Sequence, residues 1–146
     1  TSGWHHVVTD VFDTHDYTQD AAKFAENHQP ATEGRCPVAN EVTKDVWTGE
    51  IPYFVSEFGG ARWSQQTEGW GYGDGPKTVA EFIERYDGLV TALLENPAVC
   101  AFCYTQLTDV EQEQNGLYTY DRQAKFDPAA IRACTAKPAA IEREKN

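Results

Sequence analysis

Apolar residues in this chain fall into three short, nearly continuous runs and one long amphipathic stretch, with polar or Gly-rich segments between them. VVTDVFD, residues 7–13, reads as a short strand ending in the polar cluster Thr14-His15-Asp16-Tyr17. TQDAAKFAENH, residues 18–28, has helix-forming composition, and the polar stretch 29–49 reads as a loop with at most short structure. Ile51-Pro52-Tyr53-Phe54-Val55 then predicts an interior strand that stops at Ser56-Glu57-Phe58-Gly59-Gly60. After the loop ARWSQQTEGWGYGDGPK comes the clearest helix. Thr78-Val79-Ala80-Glu81 matches a capping box, and Val79, Phe82, Ile83, Tyr86, Val90, Leu93 and Leu94 share one face until Asn96-Pro97 ends it. A third strand is expected over Val99 to Tyr104, a turn at Asn115-Gly116, and a closing helix in FDPAAIRACTA. The charged residues 137–146 read as a frayed tail after a domain of residues 1–136.

This alternation of strand and helix implies an α/β fold with parallel strands and crossover helices. Each strand ends in polar or aromatic residues, and the carboxyl ends of strands are where such folds place active sites.

Composition narrows the partners. The 146 residues carry 12 Lys and Arg against 23 Asp and Glu, a formal charge of -11, which disfavours nucleic acid and anionic membrane surfaces. No apolar run approaches the ~18 residues of a spanning helix. The N-terminal Thr-Ser-Gly-Trp-His-His has neither the basic start nor the apolar stretch of a signal peptide, and the compartment stays unassigned. Cys100-Ala-Phe-Cys103 has the C-x-x-C spacing, but residues three apart on a regular strand point to opposite faces. Cys36 and Cys134 bring no partner motif, so the four cysteines read as reduced, mostly buried thiols. No metal and no cofactor is expected.

Glu57 is the residue with most chemical promise. A carboxylate at the end of a buried strand is partly desolvated, which is costly unless something pairs with it. It either faces water or serves as a reactive group.

At this point a resemblance enters. FVSEFGG resembles the nucleophile motif of glycoside hydrolase family 2, the family of β-galactosidases, β-glucuronidases and β-mannosidases. TDVFDTHDY resembles the strand before the nucleophile strand, and AFCYTQLTDVEQEQNGLYTYDRQAKFDP resembles the final barrel strand with its following segment. The three lie in the family's order and span nearly the whole chain. The resemblance implies strands six to eight of a (β/α)8 barrel, hence the C-terminal part of a catalytic domain that takes about 250 residues. The rest of the barrel and upstream domains would be its partners, and a carbohydrate its substrate.

The resemblance also implies roles. Glu57 would be the nucleophile of a retaining exo-β-glycosidase and form a covalent glycosyl-enzyme. The family's acid/base Glu follows an Asn at the end of strand four, upstream of residue 1. Asn40-Glu41 has the letters but falls in a loop after the first strand of this chain. Tyr17 would orient Glu57, or is a barrel-rim aromatic. Tyr104 stands where the family usually has a Trp under the sugar ring. His15 and Asp16 would bind sugar hydroxyls or make structural hydrogen bonds, and Trp63 and Trp70 would line outer subsites or pack the loop. Asp109 and Glu111 would order the segment after the last strand. His5 and His6 receive no role. VEQEQNGLYTYDR lacks the Asn-x-Lys with which the family's β-glucuronidases hold a carboxylate, and its acidic residues would repel a uronic acid. A neutral β-glycoside, most simply a β-galactoside, is therefore expected, with the isolated fragment inactive. Two other readings stand beside it: a non-catalytic carbohydrate-binding relative, and an α/β interaction module.

Overall fold

The computed structural model describes residues 3, 5–37, 46–64 and 69–143. Asn40 and Glu41 lie outside the described residues, as do the last three of the tail. Three parallel strands, β1 (Phe12–Asp16), β2 (Tyr53–Phe58) and β3 (Val99–Tyr104), form one sheet in the order β1-β2-β3. The first crossover contains helix α1 (Ala21–His28) and a 3-10 turn (Gln29–Glu33), and the second contains α2 (Val79–Leu94). Helices α3 (Pro128–Thr135) and α4 (Ala140–Arg143) follow β3.

The first strand begins later than its apolar residues suggest. Val7 and Val8 are each 95% exposed, and the strand runs through Thr14, His15 and Asp16 instead. Thr14 belongs there because its hydroxyl shares a buried hydrogen bond of 2.8 Å with the Tyr53 hydroxyl on the neighbouring strand. Helix α1 starts at Ala21 because Asp20 caps it, its carboxylate accepting from the Lys23 amide at 2.8 Å.

In α2, Thr78 accepts from the Glu81 amide at 3.1 Å, while the Glu81 carboxylate reaches back to the Lys77 amide at 2.8 Å, one residue beyond the cap. Its buried face is Phe82, Tyr86, Leu89, Val90, Leu93 and Leu94. Val79, expected on that face, is half-exposed at the first helical position, and Leu89 takes a place in the stripe.

These side chains meet Phe12, Tyr53, Val55, Phe58, Val99, Phe24 and Phe126 in a core on one side of the sheet. Val55, Phe58, Leu89, Val90 and Leu93 are almost wholly removed from water, each contributing about 1.5–3 kcal/mol. The other side of β3 has no such cover among the described residues. Cys100, Ala101 and Cys103 are therefore exposed, contrary to the expectation of mostly buried thiols. Cys36 is half-buried and Cys134 is buried.

The tail is partly docked rather than frayed. Lys137 pairs with Asp87 and donates to the Thr91 hydroxyl at 2.9 Å, which ties residue 137 to α2. Among the described residues no helix is long and apolar enough to cross a membrane.

Candidate active site

A one-residue irregularity sets the direction of Glu57. Along β1 and β2 the register runs Thr14 to Val55 and then His15 to Glu57, so Ser56 is an extra residue in β2. A bulge of this kind places two successive side chains on one face and re-aims the second. Ser56 donates to Asp13 Oδ2 at 2.6 Å, and Asp13 Oδ1 lies 2.9 Å from His6 Nε2. Burial would raise the Asp13 carboxyl, but the bonds from Ser56, His6 and the Gly3 backbone outweigh it and hold the group low. His6, adjacent to the first strand in sequence only through a loop, thus pairs with Asp13 and stacks on Phe12 at 4.3 Å.

Glu57 itself is about two-fifths exposed, with a different neighbour on each oxygen. The Tyr17 hydroxyl donates to Oε2. His15 Nε2 lies 3.7 Å from Oε1. Burial, then the hydrogen bonds with Glu57 and Tyr72, push the Tyr17 phenol well above its ordinary value, so it stays protonated and able to donate.

Two further residues hold Tyr17. Tyr72 stacks on its ring, with centroids 3.5 Å apart and planes 6° from parallel. The Gln19 side-chain amide donates to the Tyr17 carbonyl at 2.9 Å and to the Gly59 carbonyl at 2.7 Å, coupling the ends of β1 and β2. Gly59 and Gly60 both have positive φ, and a Cβ at Gly59 would stand 2.4 Å from the Tyr104 ring. The chain can turn here only without side chains.

The remaining expected residues are placed elsewhere. Asp16, expected to reach sugar hydroxyls, is buried on the opposite face of β1 from His15. Its carboxylate accepts from the Thr18 amide and the Asn27 side chain, each at 2.9 Å, and lies 3.2 Å from His28 Nε2. Tyr104, expected as the floor under a sugar, packs into the helix side of the sheet, edge-on to Tyr86 at 5.1 Å and to Phe58 at 5.6 Å. Trp63 packs against Phe82 and Phe126 with centroids at 6.2 and 5.6 Å, so its ring belongs to the loop's anchorage. Trp70 is half-exposed and meets Tyr72 edge-on at 5.6 Å.

Asp109 accepts from Lys125 at 2.6 Å and from the Gly116 amide at 2.8 Å, closing the loop after β3. Glu111 is exposed with φ 50. Among the described residues no group of three or more His, Cys, Asp or Glu is arranged to hold a metal.

Tyr72, Gln19, Ser56 and Asp13 were not singled out by the sequence reading. The Trp-Gly-Tyr-Gly pattern in the loop after β2 was the available signal for Tyr72, since glycines flanking an aromatic mark a tightly turned, positioned ring.

A half-exposed carboxylate at the C-terminal end of a middle parallel strand, held by a phenol from the next strand, is the geometry to set beside known proteins. In fold, the chain matches a segment of glycoside hydrolases of the barrel type. The solved structures it resembles include a β-glucuronidase of Faecalibacterium prausnitzii (TM-score 0.57, 15% identity, covering 89% of this chain and 22% of that one). A β-glucuronidase of Bifidobacterium dentium, solved with coumarin-3-O-glucuronide, gives TM-score 0.55 at 17% identity, covering 87% of this chain and 20% of the other. A GH5_18 protein of Streptomyces cattleya, solved with Manβ1-4GlcNAc, gives 0.50 at 19% identity, covering 94% of this chain and 32% of the other. The chain thus spans between a fifth and a third of the length of these structures. At such identities the likeness is one of fold. No family model matches the chain, and no curated protein does.

Proposed function

We propose that residues 1–146 are the C-terminal part of the (β/α)8 catalytic barrel of a retaining exo-β-glycosidase of the family 2 type, with Glu57 as nucleophile. The observation that carries this reading is the Glu57 carboxylate at the end of β2, bonded by the protonated Tyr17 phenol and faced by His15. A phenol donating to Oε2 leaves Oε1 available to attack.

Glu57 displaces the aglycone at the anomeric carbon while a second carboxyl group, supplied by the remainder of the barrel, protonates the departing oxygen. That same group then takes a proton from water as water cleaves the glycosyl ester, returning Glu57 as carboxylate and keeping the β configuration. Tyr17 remains the hydrogen-bond donor, and His15, beside Oε1, is the candidate contact for a sugar hydroxyl. Isolated residues 1–146 have no turnover in this scheme.

A neutral β-glycoside, most simply a β-galactoside, is the proposed substrate. The segment after β3 carries Glu111 and Glu113 and no Asn-x-Lys, which is poor chemistry for a uronate. Two of the similar structures are named β-glucuronidases, so glucuronic acid belongs in the test.

The intact protein is incubated with activated 2-deoxy-2-fluoro β-glycosides of galactose, glucose, mannose and glucuronic acid, digested, and mapped by mass spectrometry. The expected result is a sugar mass on the peptide containing Glu57, formed fastest with the galactoside. A folded protein that forms no adduct with any of the four supports the binding relative instead.

A further inference from the structure

We propose that Tyr72 is a positioning residue for the nucleophile, acting through Tyr17; this rests on the reading of Glu57 as the attacking group. Tyr17 lies one residue beyond the end of β1, where no strand pairing holds it. Its backbone is fixed by Gln19, but that bond leaves rotation about the side-chain torsions open. The orientation of the phenol is set by the bonds of its hydroxyl to Glu57 and Tyr72 and by what lies against the ring. The largest such surface is the Tyr72 ring, stacked almost coplanar at 3.5 Å, with the His15 ring edge-on at 6.3 Å on Tyr17 as well.

Tyr72 is in turn fixed from three sides. Its amide donates to the Gly60 carbonyl at 2.8 Å, immediately after the strand that carries Glu57. Gly60 has φ 67, and a Cβ there would stand 2.7 Å from the Tyr72 ring, so the two pack as closely as a glycine permits. Trp70 meets Tyr72 edge-on, and the Trp70 backbone is bolted to the loop after β3: its amide donates to Gln112 at 2.7 Å and its carbonyl accepts from Gln114 at 2.9 Å. The loop after β3 therefore holds the loop after β2, which holds Tyr17 on Glu57. Nothing in this path needs Tyr72 to touch the sugar.

The test uses the intact protein with Tyr72→Phe, Tyr72→Leu, Tyr17→Phe and the double variant Tyr17→Phe/Tyr72→Leu. It reads kcat and KM on an aryl glycoside, the rate of fluoro-sugar adduct formation at Glu57, and crystal structures. Tyr72→Phe removes only the hydroxyl's bond to Tyr17 and keeps the stack, and is expected within about 3-fold of the parent rate, with the Tyr17–Glu57 contact intact. Tyr72→Leu is expected to lose between about 10- and 100-fold in kcat while KM changes less than about 2-fold, with Tyr17 swung off Glu57. The double variant is expected to be no slower than Tyr17→Phe, because Tyr72 acts only through that phenol. Losses that multiply in the double variant, or full activity in Tyr72→Leu, overturn the proposal.

If the parent forms no adduct, the glycosidase reading fails first. The crystal structures then decide alone, and a Tyr17 hydroxyl still on Glu57 in Tyr72→Leu sinks the positioning role. Should the Leu variant not fold, Tyr72→Gln, which keeps reach and a planar end but no ring, takes its place.

Discussion

Burial alone would push the Asp16 carboxyl upward, yet bonds from His28, Asn27 and Thr18 outweigh it and bring the group down to about 2. The cluster continues through His28 Nδ1, 2.7 Å from the Tyr53 hydroxyl, to Thr14, and the Asn96 side chain donates to the His28 carbonyl at 2.9 Å. A folded-state value below the ordinary 3.8 means the carboxylate adds stability above about pH 4, which is lost as pH falls toward 2. The difference corresponds to about 2 kcal/mol. Hydrogen-exchange protection of the peptide spanning residues 12–28, corrected for the intrinsic effect of pH, should fall through that window. In Asp16→Asn the protection should already be reduced at pH 7, since the amide nitrogen faces a donor where a carboxylate oxygen accepted. Its further fall between pH 4 and 2 should be smaller than in the parent. Equal acid limbs in the two proteins would show that Asp16 is not the group responsible.

Among the elements, β2 and the turn behind it leave no room for a side chain at Gly59. Gly59→Ala places a methyl group in a left-handed backbone position and against the Tyr104 ring, with a cost of about 1–3 kcal/mol. Thermal unfolding of the variant should show a lower Tm, and an unchanged Tm would mean that Tyr104 and the backbone yield freely. The capping box at Thr78 and the stripe of α2 were legible in the chain because both are local: three residues of cap chemistry and a 3.6-residue period decide them. The start of β1 was not, since Val7 and Val8 are more apolar than Thr14 and Asp16, and only the bonds to Tyr53 and His28 show why the polar residues are the buried ones. Alternation also fails where a strand carries an extra residue, and Ser56 is one. Sequence distance hid Tyr72 for the same reason. Its partner lies on another strand's exit, and no local pattern links the two. Tyr104 was expected as the floor under a sugar, whereas packing against Tyr86 and Phe58 claims it, and of the two expectations for Trp63, an outer subsite or packing of the loop, the rings of Phe82 and Phe126 favour the second.

On the scale of the whole molecule, the described sheet has three strands and two edges, β1 and β3, with the face away from the helices uncovered along β3. Unpaired parallel edges template further pairing. Expressed alone, residues 1–146 should therefore self-associate, visible in sedimentation velocity as species larger than 16.3 kDa. A monodisperse monomer with a sharp melting transition would count against the open-barrel reading.

The separation of the two halves of the site along the chain has a further consequence, for the order of events in folding. Asp16 finds Thr18, Asn27 and His28 within twelve residues, so the partners of its own carboxylate come from β1, α1 and the turn between them. Tyr17 and Glu57 are 40 residues apart, and their bond must wait for a long loop to close and β1 to align beside β2. The Asp16 carboxylate can have all its partners while the carboxylate at the rim still lacks its donor, which makes the Tyr17–Glu57 contact a late event in the life of the chain.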